Sequence, residues 1–192
     1  MKEKDVIKNI NEIAEILDEM KCHWWLEAGT CLGLYRDNEF IPWDKDIDFG
    51  ILAENISSKE ELLYLFGRAL EKDFRIYHTF GYLENGFEVA FFKRGIKVDI
   101  FWFYKDKDIR WHSAWKNGGR NGLKDQLKYE YPAEIIENRK EFKFKGHKFY
   151  LPKETIKYLK TKYGEDWETP KKRWNWATSP KNLKRNEIKD RY

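Results

Sequence analysis

Lys45-Asp46-Ile47-Asp48-Phe49-Gly50-Ile51-Leu52 is the stretch on which the fold turns. Apolar residues alternate with polar or small ones, the two-residue period of a strand with one face buried. Residues two apart in a strand share a face, so Asp46 and Asp48 project together while Ile47 and Phe49 go to the other side. Asp is depleted in strands, and like charges set side by side destabilise them. Later in the chain, Val98-Asp99-Ile100 repeats the arrangement, with one acid between two apolar neighbours. If the two strands are adjacent, three carboxylates meet at one spot, and such a cluster calls for a cation.

Upstream, residues 4–20 place Val6, Ile7, Ile10, Ile13, Ala14, Leu17 and Met20 on the stripe of an amphipathic helix. The apolar run Trp24 to Ala28 reads as a strand, followed by a turn at Gly29-Thr30 with a capping hydroxyl and a helix over Cys31 to Arg36. Downstream, Ser57 with Glu60 predicts a capped helix of about 14 residues. Arg75 to Phe80, Phe87 to Lys93 and Lys97 to Tyr104 then read as three strands of a mostly antiparallel meander. Residues 105–131 show no period and contain Gly118-Gly119-Arg120-Asn121-Gly122, so an irregular segment is expected there. A hairpin about Gly146 over Glu141 to Leu151 and a helix over Lys153 to Tyr163, stopped by Gly164, complete an α+β pattern.

With 192 residues, 41% of them hydrophobic and 17% aromatic, the chain can bury a full core, which excludes disorder. No stretch approaches the uninterrupted apolar length of a membrane span, and the charged start offers no export signal. Cys22 and Cys31 cannot form a disulfide framework and lack zinc or redox spacing, so a cytoplasmic location is expected. From Lys171 onward there are eight Lys or Arg against Glu187 and Asp190, which leaves −2 of the formal +4 for residues 1–170. A mildly acidic domain, 1–170, is thus read as carrying a basic tail, 171–192. Tail charge of this kind suits peripheral contact with the inner face of a membrane, a lid over an anionic ligand, or plain solvation. Nucleic acid is not the expected partner.

Hard divalent ions take carboxylate oxygens together with substrate phosphates, so Asp46, Asp48 and Asp99 imply metal-assisted phosphoryl transfer. The competing reading is a solvated acidic edge paired with Lys45 or Lys97. Context favours the first: Gly29-Thr30 at a helix start and Arg36 near its end can hold a phosphate. Asp44 shares the parity of the other acids but follows Pro42-Trp43, and ranks behind them as a ligand or an orienting carboxylate. Trp43 is expected to frame the pocket. Of lower rank are Arg120, whose glycine-rich loop can wrap a phosphate, and His112, read as a loop residue near donor or acceptor. His23, His78 and His147 show no ligand spacing. Trp102, Trp111, Trp115, Trp174 and Trp176 are candidates for stacking on a ligand's planar or sugar ring.

Gly29-Thr30-Cys31-Leu32-Gly33-Leu34-Tyr35-Arg36, followed by Phe40-Ile41-Pro42-Trp43-Asp44-Lys45-Asp46-Ile47-Asp48, resembles the signature of the LicD/fukutin family. Val98-Asp99-Ile100-Phe101 is similar to the family's next acidic strand, and Tyr163-Gly164-Glu165-Asp166-Trp167 with Pro170 to its C-terminal element. Residues 105–140 match poorly, and Lys45 stands where many members have Asp. The resemblance implies a nucleotidyltransferase-type fold, a short mixed sheet flanked by helices with C-terminal helical elements beside a cleft. It further implies transfer of a substituted phosphate, such as phosphocholine or a phospho-alditol, from a CDP-linked donor to a hydroxyl of a cell-surface or lipid-linked glycan. Asp46, Asp48 and Asp99 would hold Mg²⁺ or Mn²⁺, with Asp99 also drawing the acceptor's proton. Nucleotidyl or glycosyl transfer at the same acids, and a non-catalytic anion-binding or nucleic-acid-binding module, are the alternatives.

Overall fold

The computed structural model describes residues 1–185. In chain order the elements are α1 (Glu3–Glu19), β1 (Trp24–Leu26), α2 (Ala28–Asp37), β2 (Asp46–Leu52), α3 (Lys59–Glu71), β3 (Arg75–Tyr82), β4 (Asn85–Lys93), β5 (Ile96–Asp106), β6 (Ile109–Trp115), β7 (Gln126–Pro132), α4 (Ala133–Ile136), β8 (Arg139–Phe144), β9 (His147–Pro152), α5 (Thr155–Tyr163) and β10 (Leu183–Arg185). An eight-stranded mixed sheet runs β1-β2-β5-β6-β7-β10, with the β3-β4 hairpin joined to it through β4 and β5. β8 and β9 form a separate two-stranded sheet.

β5 is the hub. Its first part pairs in parallel with β2 and antiparallel with β4, and its end, Tyr104 to Asp106, pairs with β6. The parallel register sets Asp48 opposite Asp99 and Asp46 opposite Lys97, so all four side chains leave on one face. The other face carries Ile47, Phe49, Ile51, Val98, Ile100 and Trp102, all buried in one core with Ile10, Ile13 and Leu17 of α1. Alternation along two adjacent strands thus divides the sheet into an apolar side and a polar, chemical side.

Several boundaries differ from the sequence reading for physical reasons. α2 starts at Ala28, so Gly29 and Thr30 lie in its first turn, and Glu27 is the N-cap with no side-chain cap hydrogen bond. The cap of α3 is Ser58 with Glu61 in a reciprocal capping box, one residue later than expected; such a cap is worth roughly 1 kcal/mol. Residues 105–131 are mostly sheet. Buried Arg110, His112 and Ser113 hid the period of β6, because their polarity conceals an inward-facing pattern. Arg110 is compensated by Glu54 Oε1 at 2.6 Å and Glu137 Oε1 at 3.1 Å. The glycine-rich cluster forms two 3₁₀ turns, Lys116–Gly119 and Gly122–Asp125. They are tied by Asp125, which accepts from Asn117 Nδ2 and from the Asn121 backbone N–H, each at 3.0 Å. A carboxylate already fills the role given to a phosphate.

Of the basic segment, 186–192 lie outside the described residues. The rest folds back: β10 pairs with β7, and Tyr129 donates to the Trp176 carbonyl at 2.7 Å.

Candidate active site

The polar face of β2 and β5 forms the floor of a cleft of about 550 Å³. Asp46, Asp48 and Asp99 each offer a carboxylate oxygen within 4.8 Å of the others. Burial, then the charges of Asp46, Asp99 and Asp44, push the Asp48 carboxyl well above its ordinary range. Burial also raises Asp99 to about 7, with Lys97 opposing and Glu88 adding to the rise. Lys97 is the cation that the described residues supply, its Nζ 2.6 Å from Asp99 Oδ2 and 3.1 Å from Asp46 Oδ2. One ammonium among three acids leaves negative charge over, and Asp99 Oδ1 is buried with no hydrogen-bond partner among the described residues. This donor set, all oxygen and short of positive charge, fits a hard divalent ion.

Asp44 lies before β2, in a turn closed by its own N–H to the Ile41 carbonyl at 3.0 Å. Its side chain returns to the cluster: burial, then a hydrogen bond with Asp46, raise it to about 7. The return depends on Gly29, where a Cβ would stand 2.2 Å from Asp44 Oδ2. Gly29→Ala is therefore expected to fold at a cost of about 1–3 kcal/mol, since Asp44 sits on a turn that can yield. Its stabilisation by added Mg²⁺ should fall in a thermal-shift titration. An unchanged Mg²⁺ response would remove Asp44 from the site.

Thr30 is buried and its Oγ1 accepts the Asp48 N–H at 3.0 Å, so it anchors the acidic strand and is not among the residues lining the cleft. Arg36 does line it, with its guanidinium held by both carboxylate oxygens of Asp37 at 2.8 and 2.7 Å. Trp43 lines the cleft beneath Lys172, whose Nζ is 5.6 Å from the ring centre. Arg120 is not a lining residue. His112 lines the cleft from β6, a strand and not a loop; burial and then Lys162 push it down to about 3, so its imidazole is neutral. Of the tryptophans, Trp102 is a core residue donating to the Ile56 carbonyl, and Trp111 stacks on Tyr104. Trp115, Trp174 and Trp176 line the cleft.

Sequence reasoning missed Glu27, which is fully buried at the N-terminus of α2. Lys162 Nζ donates to it at 3.0 Å, and the hydroxyls of Tyr158 and Tyr131 also point to it. Its backbone N–H bonds the Asp48 carbonyl at 2.9 Å, which couples this polar centre to the acids. A charged residue inside the apolar run Trp24 to Ala28 was the available signal. Glu88 and His78, also lining the cleft, were missed as well.

An Asp-x-Asp strand paired in parallel with a second acidic strand, on a mixed sheet flanked by helices, defines a nucleotidyltransferase-type domain. Residues 21–154 match the model described as LicD/FKTN/FKRP, nucleotidyltransferase domain, and the chain belongs to that family. It is 35% identical over 179 residues to the mouse (Mus musculus) ribitol-5-phosphate transferase FKTN, covering 91% of this chain and 36% of that protein. To the mouse ribitol 5-phosphate transferase FKRP it is 24% identical, covering 79% of this chain and 30% of that one. The chain thus spans about a third of the length of these relatives. Among solved structures it is similar to ANT(2")-Ia in complex with adenylyl-2"-tobramycin, with a TM-score of 0.48 and 13% identity over 89% of this chain and 82% of that one.

Proposed function

We propose that this chain is a divalent-metal-dependent transferase that moves a substituted phosphate, of the ribitol-phosphate or phosphocholine type, from a CDP-linked donor to a glycan hydroxyl. The observation that carries the reading is the pairing, in one cleft, of an acidic floor with a cationic wall. Arg36, Lys162, Lys171 and Lys172 face the cleft that Asp46, Asp48 and Asp99 underlie; the first three are also paired with Asp37, Glu27 and Asp166, and Lys172 stands over Trp43. A nucleotide diphosphate donor needs both, cations for its oxygens and carboxylates for the accompanying ion. Kinship with ribitol-5-phosphate transferases supports the choice of group.

Asp46, Asp48 and Asp99 would hold Mg²⁺ or Mn²⁺, which when bound neutralises charge on the transferring phosphate. The chain's own residues do the rest. Trp43, Trp174 and Trp176 offer faces for the base or the sugar. Asp99, buried on the cleft face of β5, is the carboxylate placed to take the proton of the acceptor hydroxyl. The acceptor oxygen bonds to the distal phosphorus, the bond from that phosphorus to the bridging oxygen breaks, and CMP leaves. The folded-back part of the basic segment favours a role over the donor rather than docking on a membrane. No helix among the described residues is long and apolar enough to cross one.

The test uses a CDP-linked donor labelled separately at each phosphorus. The distal label should appear in the glycan product and the proximal label in CMP. Proximal label in the product would mean nucleotidyl transfer, a transferred sugar without either label would mean glycosyl transfer, and no turnover with any acceptor would leave a binding module.

A further inference from the structure

Beside the three-aspartate cluster, the sheet brings together a second set of ligand atoms. β-pairing sets His78 opposite Ala90 and Ala90 opposite Asp99, so one row of side chains crosses three strands on the cleft face. The middle residue is only a methyl group. Glu88, two residues before Ala90 and therefore on the same face, fills the room it leaves. One ligand atom from each of His78, Glu88 and Asp99 lies within 4.8 Å of the other two.

The polar accounting of this set does not close within the described residues. Glu88 and Asp99 are 6% and 2% exposed, yet Glu88 Oε2 and Asp99 Oδ1 have no hydrogen-bond partner there. Leaving a buried acceptor unpaired costs about 1–3 kcal/mol, and more when it is charged. Lys97 is engaged with Asp99 Oδ2 and Asp46 Oδ2. His78 Nε2 makes a long contact of 3.4 Å with Glu88 Oε1, and its ring is stacked on Phe80 at 4.3 Å, which fixes the imidazole toward the acids. A neighbouring aromatic holds the ring, two carboxylates face it, and both contribute an orphan oxygen. This is the chemistry of an ion's ligand shell.

We infer that His78, Glu88 and Asp99 form a second divalent-cation site, sharing Asp99 with the first and taking an ion of the class that accepts imidazole together with carboxylate, such as Mn²⁺ or Zn²⁺. Mg²⁺ prefers oxygen ligands, whereas one nitrogen with two oxygens suits those ions. The site rests on these residues and not on the transfer reading, because a chain that moves no phosphate can still hold the ion. It adds to that reading a second positive charge in the cleft, beside the carboxylate that takes the acceptor's proton.

The experiment is a Mn²⁺ titration of the metal-stripped chain, with free Mn²⁺ read by electron paramagnetic resonance, followed by displacement with Zn²⁺. The native chain should bind two ions, and His78→Ala and Glu88→Gln should each bind one, with circular dichroism unchanged. Asp46→Asn should also keep one, and the Asp46→Asn/His78→Ala pair none. If the native chain binds a single ion that His78→Ala and Glu88→Gln leave in place, the second site is overturned. If it binds a single ion that both of those changes abolish and Asp46→Asn preserves, the second site stands and the three-aspartate site falls. His78 lies on the partly exposed hairpin strand β3, so its replacement leaves the core intact.

Discussion

Asp48→Asn should lower transfer by at least about 10³-fold, equivalent to about 4 kcal/mol of transition-state stabilisation, while raising the melting temperature measured without divalent ions. The two effects share one cause. Asp48 is buried beside Asp46, Asp99 and Asp44, which makes its charged form costly. An amide keeps the shape and removes that charge. Relief of this kind is worth about 0.5–2 kcal/mol where function has strained a site, or about 2–4 °C per kcal/mol in a domain of this size. The fold should survive because what anchors β2 here is backbone: the Asp48 N–H to Thr30 and the Asp48 carbonyl to the Glu27 N–H. Added Mg²⁺, which should stabilise the native chain by binding its folded form, should do little for the variant. Melting curves with and without Mg²⁺, beside a transfer assay, check all three outcomes. A variant that melts lower than the native chain without metal would show that the acids are structural, and one that keeps full transfer would remove them from the chemistry.

The acids were legible because their signal is local. Two aspartates two residues apart inside an apolar alternation break a strand's composition rule visibly, and Asp99 does the same in β5. Glu27 was less legible because its partner Lys162 arrives from α5, at the other end of the chain; no local period announces a pairing set by tertiary packing. His78 and Glu88 are each unremarkable in their strands, and only the register of β3 on β4 and β4 on β5 brings them to Asp99. In β6 the obstacle was different. An inward-facing Arg110, neutralised by Glu54 and Glu137, looks from sequence like a surface residue, so the strand read as irregular. The glycine-rich segment misled in the opposite direction, since its shape serves Asp125 and not a ligand.

Lys162→Met should cost about 3–5 kcal/mol, the usual penalty for leaving one member of a buried ion pair uncompensated, and lower the melting temperature by roughly 6–20 °C. Glu27 has no exposed surface. Burial alone would raise its carboxyl, yet the Lys162 ammonium above all, with the Tyr158 hydroxyl, brings it below the ordinary range. With Lys162 gone, a buried carboxylate keeps only the neutral donors of Trp25, Tyr131 and Tyr158 and must either take up a proton or draw in water. Glu27→Gln strands the ammonium instead and should cost a similar amount. The double replacement removes both charges, so it should recover much of the loss, with a coupling energy of about 2 kcal/mol or more against the 0.5 kcal/mol scatter of independent sites. Transfer should drop in both single variants even where folding is restored by low temperature, because a shift of the Glu27–Lys162 centre moves the backbone that joins β1 to α2 and holds the Asp48 carbonyl through the Glu27 N–H. Urea unfolding of the four proteins measures the cycle. Additive effects would mean that Glu27 and Lys162 act separately, and the pair would then be no support for the acidic floor above it.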